Sequence, residues 1–382
     1  MILGIDASNI RGGGGVTHLV ELLRAAEPKK FDFEKVIVWG GSETLAKLDE
    51  KPWLKKEAVS FLDKSLFHRI FWQKFKLSEV STKSKCNLLF IPGGSFSGKF
   101  IPFVTMNQNL LPFELKEILR YGFSKETLRL FLLRIIQSRT FGRADGIIFL
   151  TNYARKKVLD QFSINISKTT IINHGINLKF FNAPRVQRSY SDFISESPSK
   201  ILYVSFIGEY KHQWKVVEAM SILKKENIPL ELILVGDLIE KSASKKLQNS
   251  IQVSDKTGLI VRHYEKISYE DIQKLYLQAD LFIFASSCET FGQILTEAMA
   301  SGLPIVCSSL SAMPELLGKS GVYFNPENSD EIAQKVKNLI ENKELRRKLS
   351  QDAFEQSKNF SWEKCANETF HFFYSTVYSQ KK

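Results

Sequence analysis

Cysteine, histidine and long apolar runs are all scarce in this chain of 382 residues. It has four cysteines, far apart and without a CxxC pair, and six histidines. Dispersed cysteines argue against a disulfide framework or a zinc site, and they fit reduced thiols in a cytosolic protein. No run of about 18 apolar residues is free of charge, which excludes a polytopic membrane protein. The chain starts without a basic segment and Asp6 interrupts its first apolar run, so no signal peptide is predicted.

Acidic residues are in the minority only in the first half of the chain. Residues 1–200 hold 31 Lys and Arg against 18 Asp and Glu, whereas residues 201–382 hold 22 against 23. The net charge of +12 therefore belongs to the first half. This asymmetry predicts an anionic partner there, which is a membrane surface, a nucleic acid or an anionic substrate. Nucleic acid is the least favoured, because no recognition motif accompanies the charge.

Short apolar runs alternate with helical patterns along both halves, which predicts parallel sheets covered by helices. In the first half the predicted strands are 2–7, 36–39, 88–91, 104–106, 146–150 and 170–172, with a glycine loop at 11–15 before a helix. In the second half they are 201–206, 232–235, 259–261, 281–285 and 304–306. The polar stretch 182–200 holds two prolines and a serine cluster, and we predict it to be the interdomain linker.

The stretch 285–304 carries the strongest functional pattern. An apolar strand leads into a loop with Glu289 and Gly292, and a helix is predicted to start near Gln293. The helix start then lies at the carboxyl edge of the sheet, where backbone N–H groups and the helix dipole favour an anion. Glu297, about one turn further in, would reach the ribose of a nucleotide whose diphosphate occupies that site.

Glu289 and Glu297 form an E-x7-E pair within ETFGQILTEAMASGLPIV, and LYVSFIGEYKHQ, LILVGD and MPELLGKSGVYFNPEN surround it in order. This arrangement resembles the retaining glycosyltransferases of family 4, over residues 200–366 and more loosely before them. The resemblance implies an α/β protein of the GT-B fold, with two Rossmann-like domains facing each other across a deep cleft.

The implied domains are a basic, acceptor-binding domain over 1–183 and a domain that binds the nucleotide-sugar donor over 198–364. A C-terminal helix over 365–382 is expected to pack back toward the first domain.

The resemblance also implies roles for the matching positions. Glu289 would lie near the hydroxyls of the transferred sugar, Lys211 would grip the diphosphate, and Asn107 would complete the catalytic set. Glu297 would hold the donor ribose. Further donor contacts would come from Phe291, Gly292, Gln293, Ile294, Gly14, Gly15, Arg262 and His212.

Two positions depart from the family pattern. Phe206 stands where the family often has an arginine, so His212 or Arg262 is expected to supply that cation. Asn107 or Gln108 stands where many members have a histidine. Amide side chains form hydrogen bonds with sugar hydroxyls but do not titrate, so no general base is expected there.

The expected chemistry needs no metal and no cofactor beyond the nucleotide-sugar substrate, because no DxD motif is present. The helix start and Lys211 would stabilise the charge that develops on the leaving diphosphate. The leading hypothesis is a retaining transferase that moves a sugar from a UDP- or GDP-sugar to a saccharide acceptor in surface glycan synthesis, of the lipopolysaccharide, O-antigen or capsule type. The alternatives are a nucleotide-sugar isomerase or hydrolase on the same frame, and a nucleotide-binding scaffold without catalytic activity.

Two stretches of the first half mix aromatic and basic residues, at 67–76 and 116–143. One interpretation is a pair of amphipathic core helices with solvated faces. The other is a surface that lies on anionic lipid beside a lipid-linked acceptor. The second interpretation is slightly favoured by the charge asymmetry, and it predicts a cytoplasmic protein peripheral on the inner face of the cell membrane.

Overall fold

The computed structural model describes residues 1–256 and 258–379, which divide into two compact units. The first unit comprises 1–118, 123–175 and the chain from Phe360 onward. The second comprises 119–122 and 176–359.

A parallel sheet of seven strands organises the described part of the first unit, in the order β3-β2-β1-β4-β5-β6-β7. Five of its strands are buried along nearly their whole length, as expected for a sheet covered on both faces. The strands are β1 (Ile2–Asp6), β2 (Lys35–Gly40), β3 (Leu54–Ala58), β4 (Leu88–Ile91), β5 (Phe103–Asn107), β6 (Gly146–Phe149) and β7 (Thr169–Ile171).

Six parallel strands form the sheet of the second unit within the residues described there, in the order β10-β9-β8-β11-β12-β13. The central strands consist almost entirely of buried apolar side chains. The strands are β8 (Ser199–Val204), β9 (Leu230–Val235), β10 (Val261–Tyr264), β11 (Leu281–Phe284), β12 (Ile305–Ser308) and β13 (Val322–Phe324).

Helices connect the parallel strands in both units. In chain order they are α1 (Gly13–Ala25), α2 (Ser42–Leu45), α3 (Leu66–Phe71), α4 (Leu77–Lys83), α5 (Leu115–Leu119), α6 (Lys125–Arg143), α7 (Asn152–Leu159), α8 (Gln213–Lys225), α9 (Lys241–Ser254), α10 (Tyr269–Gln278), α11 (Gln293–Ala300), α12 (Met313–Leu317), α13 (Ser329–Glu341), α14 (Lys343–Ser357) and α15 (Trp362–Ser379). A π-helical turn, Trp72–Lys76, joins α3 to α4. In the described ranges, no helix has both the length and the apolar character needed to cross a membrane.

The C-terminal helix α15 belongs to the first unit. Its Phe373 ring lies 4.9 Å from the Phe90 ring of β4, and its Phe370 ring lies 6.0 Å from that of Phe33. Gly146 at the start of β6 leaves room for Phe372, since a Cβ there would come within 2.8 Å of that ring. The end of the chain therefore completes the core of the unit that contains its beginning.

Several predicted boundaries move in the structure. The helix α1 begins at Gly13, so most of the predicted glycine loop is its first turn. The strand predicted at 259–261 is β10, at Val261–Tyr264. The edge strands β3 and β13 were not predicted, because β3 is polar and half-exposed and β13 has only three residues.

The predicted linker, 182–200, lies within the second unit. The chain enters that unit at Ile176. The Asn182 N–H then donates to the Ala300 carbonyl at 2.9 Å, and Phe193 is buried with the Arg188 guanidinium 4.4 Å from its ring. The stretch is polar because it runs over the surface, yet these contacts attach it to the second unit near both of its ends.

In each sheet the chain order reverses beside the first strand, between β1 and β4 and between β8 and β11. Loops from the carboxyl ends of two such strands diverge and leave a crevice, where open α/β sheets bind ligands. These two places are where functional side chains are expected.

Candidate functional site

In the second unit, the loops that follow β8 and β11, together with the helix α11, hold most of the predicted site residues. The two strands pair in parallel, with Leu281 beside Ile201 and Phe282 beside Leu202. Their carboxyl ends therefore lie side by side, and the loops 205–212 and 285–292 leave the sheet at the same edge.

Lys211 and Glu289 form an ion pair between these loops. The Lys211 residue is only 4% exposed. Its ammonium lies 4.8 Å from the centre of the Tyr210 ring, 5.1 Å from that of Phe206 and 5.5 Å from that of Phe284. Three ring faces and one carboxylate thus hold a cation that is largely removed from water, where its charge is least screened.

The Glu289 backbone is fixed by a third loop, which follows β12. Its N–H donates to Ser311 Oγ at 2.8 Å, and Ser311 Oγ donates to the Glu289 carbonyl at 2.9 Å. Sequence reasoning did not select Ser311, because its role depends on β12 lying next to β11.

His212 forms a second link between the loops 205–212 and 285–292. It adopts a left-handed conformation with φ of 53°, directly before α8. Its Nε2 lies 3.0 Å from Ser287 Oγ, and the Ser287 N–H donates to the Tyr210 carbonyl at 2.8 Å. His212 is almost fully buried, so its contacts stabilise the loop that carries Lys211.

Gly292 starts α11 at the same edge of the sheet. Its φ of 82° is in the left-handed region, which glycine adopts at low cost. Phe291 before it is buried, and the first-turn amides after it, at Gln293 and Ile294, have no acceptor within the helix. The amino end of the helix dipole therefore lies beside the loop that carries Glu289.

Glu297 lies one turn into α11, and the pKa of its carboxyl is raised. Burial raises the pKa of its carboxyl to about 8, although a long hydrogen bond of 3.5 Å from the Tyr276 hydroxyl to Oε2 opposes the shift. Tyr276 is buried, and its hydroxyl also lies 3.4 Å from the Ile294 carbonyl. Tyr276 was not selected from the sequence, because a tyrosine within a helical pattern is usually a core residue.

Arg262 does not join this cluster. It lies in β10 and forms an ion pair with Glu231, near the amino end of β9, while its side chain is 66% exposed. Arg262 was predicted to contact the diphosphate only from its position in the sequence, which does not show at which edge of the sheet it lies. The strand instead directs this arginine toward the amino ends of the strands, away from the site.

Three predicted residues belong to the first unit. Asn107 ends β5, is fully buried and donates from Nδ2 to the Asn109 carbonyl at 3.1 Å, while its Oδ1 has no hydrogen-bond partner. Gly14 and Gly15 lie in the first turn of α1. A Cβ at Gly15 would stand 3.3 Å from Gln108 Oε1, so Gly15 keeps that loop close to the start of the helix.

Comparison with known proteins shows which family most of the second unit resembles. Residues 190–356 match the family model described as Glycosyl transferases group 1. The chain is 31% identical over 197 residues to O-antigen chain mannosyltransferase B of Escherichia coli, and the alignment covers 47% of this chain and 51% of that protein.

Solved structures extend the similarity to the whole fold. Sucrose-phosphate synthase of Thermosynechococcus elongatus superposes with a TM-score of 0.76 at 16% identity, over 100% of this chain and 99% of that one. HepE of Anabaena in complex with UDP-glucose superposes with a TM-score of 0.69 at 18% identity, over 100% of both chains. At these identities the likeness shows the fold alone.

The chain spans about half of the length of the curated relatives, at 51%, 52% and 62% for three of them. The family match over residues 190–356 supports the predicted glycosyltransferase family for that part of the chain, and the predicted fold with two Rossmann-like domains is confirmed by the solved structures. Residues 190–356 thus match the group 1 glycosyltransferase family, and the chain has the GT-B fold.

Proposed function

We propose that this protein is a glycosyltransferase that moves a sugar from a nucleotide-sugar to a saccharide acceptor. The observation that carries the proposal is the buried pair of Lys211 and Glu289 beside the amino end of α11, with Glu297 one turn inside that helix. A cation, a helix dipole and an acid that can bind a diol match the diphosphate and ribose of one ligand.

Lys211 and the first-turn amides of α11 are proposed to bind the diphosphate and to stabilise the charge it gains as the bond to the sugar breaks. Preorganised donors of this kind contribute about 2.7–4 kcal/mol each to transition-state stabilisation. We propose that this arrangement works without a metal and with retention at the anomeric carbon. Glu289 would orient hydroxyls of the transferred sugar while keeping Lys211 in place.

The relatives support a role in the assembly of surface glycans. One is named an O-antigen chain mannosyltransferase, and a protein of the same fold is described as involved in lipopolysaccharide biosynthesis. A UDP- or GDP-sugar is the proposed donor, and a saccharide that can be linked to lipid is the proposed acceptor. The isomerase or hydrolase alternative lacks support, since Asn107, the residue expected beside the sugar, does not titrate.

Binding and turnover of a panel of nucleotide-sugars test the proposal. We expect the wild type to bind at least one member tightly while hydrolysing it slowly when no acceptor is present. Glu297→Gln should weaken binding, and Lys211→Met should lower turnover with an acceptor. The matched controls are Glu344→Gln and Lys337→Met, which replace exposed charges on α14 and α13.

Three outcomes would contradict the transferase proposal. Rapid isomerisation or hydrolysis would favour the alternative enzyme, and no binding would favour a scaffold. Wild-type behaviour of both site variants would remove the site from the proposal.

We further propose that the first unit lies on an anionic membrane surface. Its α3, π-helical turn and α6 each expose apolar side chains, including Leu66, Phe67, Phe71, Phe75, Leu128 and Leu132. Phe67 is 83% exposed, and basic residues such as Lys74 lie between the rings. Exposed rings within positive charge are typical of helices at a lipid interface. The proposed location is the inner face of the cell membrane.

Co-sedimentation with vesicles tests the membrane proposal. We expect binding to vesicles of phosphatidylglycerol and phosphatidylcholine, weaker binding to phosphatidylcholine alone, and a loss in the double variant Phe67→Ser and Phe75→Ser. Val253→Ser is the control, since Val253 is 73% exposed in the second unit. Equal, negligible binding to both kinds of vesicle would contradict the proposal.

A further inference from the structure

The ion pair between Lys211 and Glu289 joins two groups that have no other charged partner among the residues described. Lys211 Nζ donates to Glu289 Oε1, and neither group forms an ion pair with any other residue there. The two side chains are only 6% and 17% exposed. Charges that are shielded from water attract one another strongly, and opening such a pair leaves each charge without a counter-ion. A ligand that binds Lys211 therefore has to compete with Glu289.

The loops that carry this pair hold a single strong cation. Residues 205–212 and 285–292 contain one lysine, Lys211, and no arginine. Glu209 is the one other acid of these loops, and it pairs with a lysine of α9. The charge of Lys211 is thus balanced by Glu289 alone. A diphosphate and the Glu289 carboxylate would have to share one ammonium group.

A nucleoside diphosphate and a nucleotide-sugar differ in what they offer to Glu289. Diphosphate oxygens accept hydrogen bonds from Lys211 and from the first-turn amides of α11, but they bring negative charge toward the carboxylate and no donor. Within the described part of the chain, the Glu289 side chain accepts a hydrogen bond from Lys211 only. Losing that bond leaves a largely buried carboxylate unsatisfied, which is costly. The hydroxyls of an attached sugar are donors, so they can replace the lost bond.

We propose that Glu289 determines specificity by making the affinity for the nucleotide depend on the sugar that it carries. When the donor binds, Lys211 contacts the diphosphate and Glu289 accepts hydrogen bonds from the sugar. Once the sugar has moved to the acceptor, Glu289 has lost those donors and pairs with Lys211 again. The nucleoside diphosphate is then held less tightly and leaves, a step that limits turnover in many enzymes. This inference rests on the proposed function, because it takes a nucleotide-sugar as the ligand.

Isothermal titration of the full chain with UDP, GDP, UDP-glucose and GDP-mannose tests the exchange. We expect the wild type to bind a nucleotide-sugar about tenfold more tightly than the matching nucleoside diphosphate. Glu289→Gln removes the competing charge, so it should raise the affinity for the nucleoside diphosphate about tenfold, while the affinity for the nucleotide-sugar rises less or falls. Glu289→Asp keeps the charge and should keep the preference for the sugar-bearing ligand.

Glu231→Gln is the matched control. It removes a carboxylate that is 8% exposed and pairs with Arg262, near the amino end of β9 and away from the crevice. This variant should bind all four ligands like the wild type. Calorimetric melting gives a second measurement where Glu289→Gln is less stable. Because Lys211 is left unpaired in that variant, UDP or GDP should raise its melting temperature more than that of the wild type.

The outcomes separate this inference from the proposed function. Equal wild-type affinities for a nucleotide-sugar and its nucleoside diphosphate overturn the inference without any variant. An affinity of Glu289→Gln for UDP and GDP that is no higher than that of the wild type overturns it as well. In both cases the binding of a nucleotide-sugar leaves the proposed function standing. If neither the wild type nor Glu289→Gln binds any of the four ligands, the proposed function and this inference both fail.

Discussion

Replacing Glu297 with glutamine removes the most strongly perturbed acid of the proposed donor site and leaves the shape of the side chain nearly unchanged. Burial raises the pKa of this carboxyl to about 8, from an ordinary value of 4.5. The folded protein therefore binds the proton more tightly than the unfolded chain does. The resulting contribution to stability is complete below pH 4.5 and is lost as the pH rises through 8.

The expected loss of stability follows from the difference between the pKa of Glu297 in the folded protein and its ordinary value. At about 1.4 kcal/mol per unit of pKa, ionising Glu297 lowers the free energy of unfolding by about 5 kcal/mol across this range. Glu297→Gln cannot ionise, so its stability should lack this decline. Wild type should be the more stable relative to the variant at pH 5 and should lose that advantage by pH 9.

Urea unfolding of both proteins from pH 5 to pH 9 measures the effect. Because the chain has two units, the transition is best followed by hydrogen exchange in peptides from β11 and α11. The exposed Glu344→Gln serves as the matched control. Parallel pH profiles for wild type and Glu297→Gln would refute the account of a buried, protonated Glu297.

Three further predictions concern the same unit and its chemistry. Lys211→Met should destabilise the second unit by about 3–5 kcal/mol, because it leaves the Glu289 carboxylate unpaired, and the added change Glu289→Gln should recover part of the loss in a double-mutant cycle of urea unfolding. Gly302→Ala should lower the melting temperature measured by calorimetry, because φ there is 64° and a Cβ would come within 2.7 Å of the Pro184 backbone; an unchanged melting temperature would contradict this. Sugar transfer should proceed at an unchanged rate in EDTA, and a strict need for a divalent ion would contradict the proposed metal-free chemistry.

Much of the second unit can be predicted from the sequence, because its signals are local. The apolar run of β11, the loop with Glu289 and the start of α11 at Gln293 follow one another within a short stretch. A helix start after a buried strand favours an anion through its backbone N–H groups and dipole, and this tendency depends on the local segment alone. The start of α10 is also set by a local signal, since the side chain of Ser268 caps that helix.

Which basic residue pairs with Glu289 is decided by the tertiary structure. Lys211 is 78 residues from Glu289 along the chain, and they meet only because β8 and β11 are neighbours. Arg262 has the same charge and was expected, as an alternative to His212, to replace the cation missing at Phe206, yet its strand directs it to Glu231. Charge is a property of the residue, whereas the edge of the sheet at which it lies depends on strand order and register.

The sequence alone determined that two parallel α/β units form and that a helix begins near Gln293 directly after a buried strand and loop, because hydrophobic periodicity and helix capping act over a few residues. The tertiary structure decided that Lys211 and Glu289 come together and that Arg262 lies elsewhere, paired with Glu231. Those outcomes depend on contacts between segments that are far apart in the chain. The raised pKa of Glu297 has the same origin, because its carboxyl is buried only once these segments have packed together.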